Sequence, residues 1–447
     1  MARRIRFLHA ADLHLGSLLH TAEKLPAGLE ELAVKATMTA FSWICAAAVA
    51  NRVDFLLLAG DLYDREARSI RAARFFAEKC RELEKEGIPV FIIAGNHDPR
   101  RDEGEFFDLP GNVWVFSADE PECREIRDGK GKLVARVAGQ SYRSRSESRK
   151  MHEAYAFPDQ EVCNIALLHT QLEPGNANYV PSSLAELTAR DDIHYWALGH
   201  IHRCRVLSRG VPAVAYPGIP QGRDFGETGP GGCLLVEMAP GEPPDFSYLP
   251  VAPVVWKRVE FSITGDPDLQ NLTGLEHRLV EKAGELAATP LEIPEGLPVA
   301  AGGCQPEGYI LQWVITGRGE LHNLWAGQEE EAAAELTAAL RRRLEGRAPF
   351  LWSDSVVIRT ARPLPRLEEL LEKNPVFHEL AEVAAHFKDP AYRGELLANL
   401  GRIWDPAPDH ENMAPDRFYL DEETLAAIID RARELILERL VAWGEER

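Results

Sequence analysis

The first half of the chain alternates short apolar runs with stretches whose apolar residues recur at helical spacing. This alternation predicts a layered α/β domain. Residues 5–10 read as a strand, and Leu29, Leu32, Ala33, Ala36, Ala40 and Ile44 then share one helical face. Residues 53–59 are almost wholly apolar, so they predict a strand buried on both sides. A charged helix is expected over 69–86 and a third strand over 88–94. Further strands are expected at 113–116, 133–138, 162–168, 195–198, 211–215 and 233–236.

Five prolines crowd residues 238–253, which predicts the exit from a first domain spanning 1–250. Residues 254–362 predict a small α+β module. Its strands fall at 255–263 and 309–316 and an Ala/Glu/Arg-rich helix at 329–343, with loops over 265–271 and 290–308. From 363 to 447 the pattern is helical. Leu425, Ile428, Ile429, Ala432, Ile436, Leu440 and Trp443 form one stripe, with Asp421 as its N-cap.

The 447 residues suit two or three domains. No run approaches the roughly 20 apolar residues of a membrane-spanning helix. Asp12 and His14 interrupt the apolar N-terminal stretch, which reads as a buried strand and not a signal peptide. Seven scattered cysteines without a C-x-x-C pair fit reduced thiols in the cytoplasm. The net charge of −20 gives no support to a nucleic-acid partner. Its distribution is uneven, however. Residues 1–250 carry 29 Lys and Arg against 35 Asp and Glu, and residues 251–447 carry 21 against 35.

Polar motifs stand where the apolar runs end: Asp12-Leu13-His14, Gly60-Asp61-Leu62-Tyr63-Asp64, Gly95-Asn96-His97-Asp98, His169, and Gly199-His200-Ile201-His202. In α/β sheets, ligands gather outside the carboxyl ends of strands, so five strand ends would aim these residues at one place. Carboxylate and amide oxygens with imidazole nitrogens suit divalent first-row cations. There are enough donors for two ions, and paired ions point to phosphate-ester hydrolysis. Any one motif fits an ordinary hydrogen-bonded loop residue. All five in this order after five predicted strands do not.

These motifs resemble the calcineurin-like metallophosphoesterase superfamily. Ala11-Asp12-Leu13-His14-Leu15-Gly16, Gly60 through Arg65, Tyr216-Pro217-Gly218 with Gln221-Gly222-Arg223, and Glu227-Thr228-Gly229 through Gly232-Cys233 narrow the resemblance. They are similar to SbcD-type DNA repair nucleases, most closely a YhaO-like branch. The resemblance implies a four-layer αββα core, with the capping module and helical C-terminal region beside it. It implies Asp12, His14, Asp61 and His202 on a first metal, and Asp61, Asn96, His169 and His200 on a second. The metal would be manganese, with iron, zinc and magnesium as alternatives. His97 would be the general acid and Asp98 would orient it. Asp64 stands where some relatives carry histidine and would support the ligands.

The implied reaction is DNA phosphodiester hydrolysis by a metal-bridging hydroxide. Implied partners are DNA, an SbcC-like coiled-coil ATPase and a second copy of the chain. Arg203, Arg205 and Arg223 follow metal-site loops and are the candidate phosphate contacts. Arg143, Arg145, Arg149 and Lys150, in a Ser-rich segment, are equally well read as a solvated loop. Two other functions compete: a small-molecule phosphodiesterase or phosphatase of the same superfamily, and a weakly active binding subunit of an ATPase.

Overall fold

A computed structural model describes residues 3–64, 69–100, 108–172, 178–266, 269–363, 375–389, 392, 404–405, 418–419 and 422–445. Two six-stranded sheets form its centre. The first contains β1 (Ile5–Ala10), β2 (Phe55–Ala59), β3 (Val90–Ile93), β4 (Val113–Val115), β11 (Gly232–Met238) and β12 (Asp245–Pro250), in the order β12-β11-β1-β2-β3-β4. The second contains β5 (Glu122–Arg127), β6 (Leu133–Gly139), β7 (Cys163–His169), β8 (Tyr195–Gly199), β9 (Arg205–Ser208) and β10 (Ala213–Tyr216), in the order β5-β6-β7-β8-β10-β9. Strands β1 to β4 run parallel, as do β6, β7, β8 and β10.

Side chains of successive residues point to opposite faces of a strand. Ile5, Phe7, Phe55, Leu57, Phe91 and Ile93 meet Val137, Ile165, Leu167, Tyr195 and Ala197 between the sheets. Leu8, Ala10, Leu56, Leu58, Val90 and Ile92 face the other way. They pack against helices α1 (Ala27–Ala50) and α2 (Ile70–Lys85). Ala166, Leu168, Trp196 and Leu198 pack under a short helix α3 (Leu184–Thr188) and Met151 and Tyr155. The mixed α/β architecture expected from the sequence is therefore present. Both faces of the central strands are apolar because both are covered.

Two features correct the sequence reading. Residues 238–253 contain β12, paired antiparallel with β11 at the edge of the first sheet, where proline at a strand end is tolerated. Among the described residues, α1 is long and apolar enough over Gly28–Ala50 to cross a membrane. More than half of its most apolar window is buried in the protein, as expected of a core helix.

The chain forms two compact units. The first comprises Met1–Phe261, Asp268–Ile315 and Gly327–Arg359. Besides the sheets it holds helices α4 (Leu272–Ala288) and α5 (Glu329–Leu344) and, as far as Phe261, Ile315 and Arg359, strands β13 (Val254–Ser262), β14 (Gly308–Arg318) and β15 (Phe350–Ala361), ordered β13-β14-β15. The second comprises Ser262–Pro267, Thr316–Ala326 and Thr360–Arg447. In it, α6 (Pro375–Lys388) and α7 (Glu422–Glu445) pack through Ala384, Leu425 and Ile429. Ile428 and Ile436 of the expected stripe are exposed. Asp421 and the side chains of Leu440 and Trp443 lie outside the described residues.

Candidate metal centre

Five loops leave the carboxyl ends of β1, β2, β3, β7 and β8 and interlock. Asp12 and His14 donate their backbone N–H groups to Gly60 O (2.9 Å) and Asp61 O (3.1 Å). His200 N–H donates to the Asp12 carboxylate (3.1 Å), and His97 N–H to Asp61 Oδ1 (2.9 Å). Asp12, His14, Asp61 and His200 carry positive φ values of 54°, 43°, 53° and 98°. Such conformations cost side-chain-bearing residues about 1–3 kcal/mol each and persist only where surrounding structure enforces them.

The loops also pass unusually close to one another. A Cβ on Gly199 would overlap Ala59 O and crowd the His169 ring. Gly199→Ala should therefore destabilise the protein by about 3 kcal/mol, because rigid backbone cannot yield. Chemical denaturation checks this, and an unchanged midpoint would refute it.

The structure brings together seven of the expected site residues. Asp12, His14 and His202 present ligand-type atoms to one point, and Asp61, His169 and His200 to a second. Asn96 joins the second group, its Oδ1 lying 3.0 Å from His169 Nε2 and 3.0 Å from His200 Nδ1.

Protonation makes these contacts informative. His169 Nδ1 is 2.9 Å from Ala59 O, a carbonyl that only accepts, so Nδ1 carries the hydrogen. In the neutral ring its bare Nε2 then faces Asn96 Oδ1 and, at 3.4 Å, Asp61 Oδ2. His14 Nδ1 donates to Asp64 Oδ1 (2.9 Å) and His202 Nδ1 to Glu227 Oε1 (2.6 Å). Their Nε2 atoms face each other 3.4 Å apart. Lone pairs aimed at lone pairs repel unless a cation lies among them. Ligands at about 2.1 Å from one small cation stand about 3–3.5 Å apart, and the donors in the two groups are 3.0 to 3.8 Å apart. The donor set thus fits two divalent first-row cations.

Electrostatics make the same demand. Burial pushes the Asp12 carboxyl up. Burial opposes ionisation of Asp61 too, but His169, His14 and His97 outweigh it and hold Asp61 below the usual carboxylate range. Burial works against its charged form, yet with no cation beside it His169 is pushed up to about 9 by Asp61 and Asp12, its second proton then standing where a metal would. Burial and the nearby His169 push His200 down to about 3. Two deeply buried carboxylates in one site need compensating positive charge.

His97 differs from the other histidines. Its side chain is 44% exposed, whereas those of His14 and His169 are fully buried, so it can meet a substrate. The expectation that Asp98 orients it is corrected. Asp98 accepts from the backbone N–H groups of Leu62 (2.8 Å), Tyr63 (3.2 Å) and Gly95 (2.9 Å), and braces the second and third loops. Burial and the charge of Asp61 push it up to about 7. The carboxylate on His97 is Asp64, whose Oδ1 lies 2.7 Å from Nδ1. Asp64 also accepts from His14 and from Ser17 Oγ.

Arg223 needs the same correction. Its guanidinium is paired with Asp64 (3.0 Å) and Glu227 (2.8 Å) and is 16% exposed, so it is not free to grip phosphate. Arg203 and Arg205 are exposed and make no ion pair among the described residues. Arg143, Arg149 and Lys150 are paired with Asp119, Glu147 and Glu186. A further ligand-type group, His152, Glu153 and Glu186, already holds the Lys150 ammonium between its carboxylates. Sequence reasoning overlooked the position of Glu227 on His202. The only signal was its place in the phrase shared with the SbcD-type nucleases.

Residues 5–204 match the family model for calcineurin-like phosphoesterase. The uncharacterized metallophosphoesterase YhaO of Bacillus subtilis strain 168 is 32% identical over 339 residues, covering 75% of this chain and 80% of that protein. The DNA double-strand break repair protein Mre11 of Archaeoglobus fulgidus is 27% identical over 240 residues, covering 50% and 52%. The SbcD component of the nuclease SbcCD of Bacillus subtilis strain 168 is 24% identical over 274 residues, covering 53% and 67%. Fold, donor set and these similarities define a metal-dependent phosphoesterase. The chain belongs to the calcineurin-like phosphoesterase family, on the branch shared by YhaO, SbcD and Mre11.

Proposed function

We propose that this protein is a nuclease of DNA repair that hydrolyses DNA phosphodiester bonds at a two-manganese centre. Asp12, His14, Asp61 and His202 would hold one ion, and Asp61, Asn96, His169 and His200 the other. When bound, the ions would supply an acidified water as nucleophile and offset charge on the phosphoryl oxygens. His97 stands at the open side with Nδ1 on Asp64, which leaves its Nε2–H for the departing sugar oxygen. Asp64 offsets the imidazolium charge before that proton leaves.

The observation that carries this reading is the convergence of buried, mutually facing lone-pair donors beside one exposed histidine. The names of the Mre11 and SbcCD relatives support DNA as the substrate. Arg203 and Arg205, exposed directly after His202, are the residues to meet its phosphates. By the same reading the chain works in the cytoplasm as a homodimer with an SbcC-like coiled-coil ATPase.

The test is to incubate the purified chain with Mn2+ and end-labelled single- and double-stranded DNA, and in parallel with bis-p-nitrophenyl phosphate. DNA degradation abolished by chelator is expected, with DNA binding that falls steeply as salt rises. Cleavage of the small diester with DNA untouched would overturn the DNA assignment in favour of a small-molecule phosphodiesterase. Failure to cleave either substrate with both ions bound would favour a binding subunit.

A further inference from the structure

A closed circuit of polar contacts runs through the centre. His202 Nδ1 donates to Glu227 Oε1 (2.6 Å). Arg223 holds Glu227 with Nη2 on Oε1 (2.8 Å), Nε on Oε2 (3.2 Å) and its backbone N–H on Oε2 (2.8 Å). Its remaining arm, Nη1, reaches Asp64 Oδ2 (3.0 Å). Asp64 Oδ1 accepts from His14 Nδ1 (2.9 Å) and His97 Nδ1 (2.7 Å). The two Nε2 atoms of His14 and His202, 3.4 Å apart, close the ring.

The parts of this ring have separable effects. A carboxylate on Nδ1 fixes the tautomer and plane of an imidazole, and leaves Nε2 bare for a metal. Asp64 does this for His14, and Glu227 for His202. Arg223 sets the distance between the two carboxylates, because its planar fork engages both at once. It also changes the charge balance. Asp12, Asp61, Asp64 and Glu227 would be neutralised by two divalent cations. The guanidinium adds positive charge to that balance, which favours a negatively charged phosphodiester.

We propose that Arg223 and Glu227 are positioning residues of the phosphoesterase reaction: with Asp64 they hold His14 and His202 in register as one ligand pair and tie that pair to His97. Arg223 belongs to this frame and not to the DNA-binding surface. The inference rests on the metal-centre reading above.

The test titrates Mn2+ into the full-length metal-free protein by calorimetry, comparing wild type with Glu227→Gln, Arg223→Gln and Arg223→Lys. Kinetics on DNA and on bis-p-nitrophenyl phosphate accompany it. Glu227→Gln should weaken one ion site by about 10–100-fold and leave the other within about twofold. Arg223→Gln should weaken the same site and lower kcat about tenfold on both substrates, with KM for DNA unchanged. Arg223→Lys, which restores charge without the fork, should recover only part of either loss.

Wild-type affinity for both ions in Glu227→Gln would overturn the proposal. So would an Arg223→Gln effect confined to the KM for DNA. A wild type that takes up no pair of ions would overturn the metal-centre reading itself, and the first titration alone reveals that. Should a variant fail to fold, histidine 15N NMR of the wild type loaded with diamagnetic Zn2+ decides. His14 and His202 are both expected as Nδ1–H tautomers, and an Nε2–H tautomer at His202 would overturn the proposal.

Discussion

Replacing Asp61 by asparagine should lower kcat by about a thousandfold or more and cut manganese uptake from two ions to one or none. Asp61 is almost fully buried, strained at φ 53°, grouped with His169 and His200, and the carboxylate proposed to bridge both ions. Its Oδ1 accepts the His97 N–H, and its Oδ2 faces His169 Nε2. Losing a group that merely supports a ligand costs about 10–100-fold, so losing a shared ligand costs more. The amide keeps the size and the Oδ1 contact, so the fold should survive. Kinetics at saturating Mn2+ and an ion count by mass spectrometry check both halves. A variant that kept two ions and most of its kcat would show that Asp61 does not bridge.

His97→Asn should lower kcat on DNA by about 10²–10⁴-fold while both ions remain bound. The loss should be smaller on bis-p-nitrophenyl phosphate, whose leaving group needs little help from an acid. Equal losses on both substrates would argue against proton donation. The pH profile carries a second check. The hydrogen bond that His97 donates to Asp64 raises the His97 pKa above its ordinary value near 6.5. A general acid works while protonated, so activity is present below that raised pKa and is lost as pH rises through it. Asp64→Asn removes the cause, and the alkaline limb should move down towards 6.5. A limb that stayed in place would assign the acid elsewhere.

The strands that carry the site were legible because both of their faces are covered. β1, β2, β3, β7 and β8 therefore appear as largely apolar runs, interrupted only by Arg6 and His9 in β1 and Asn164 in β7, with a polar motif where each ends. Strand β5 was not legible. It lies at a sheet edge, and Glu122, Arg124 and Glu125 stay at least partly in solvent. Edge position also hid β9 and β12. Helix α4 buries only Leu275, Leu279 and Ala283, too narrow a stripe to stand out among its glycines and charges.

Within the site, the donors could be read because each belongs to a short motif. Their supporting contacts could not. Asp64 meets Arg223 across 159 positions, and Glu227 reaches back 25 positions to His202. The strained φ values at Asp12, His14, Asp61 and His200 leave no mark in residue type, since these residues are already required by the donor set. Asp98 was misplaced for a related reason. The family resemblance implied a partnership with His97, whereas the turn aims its carboxylate at the backbone of Leu62 and Tyr63.

The most direct measurement is an anomalous difference map at the manganese edge from crystals grown with Mn2+. Two peaks about 3.5–4 Å apart are expected. One should lie against Asp12, His14 and His202, the other against Asn96, His169 and His200, with Asp61 touching both. A single peak, or a pair of peaks away from these side chains, would contradict the two-metal centre.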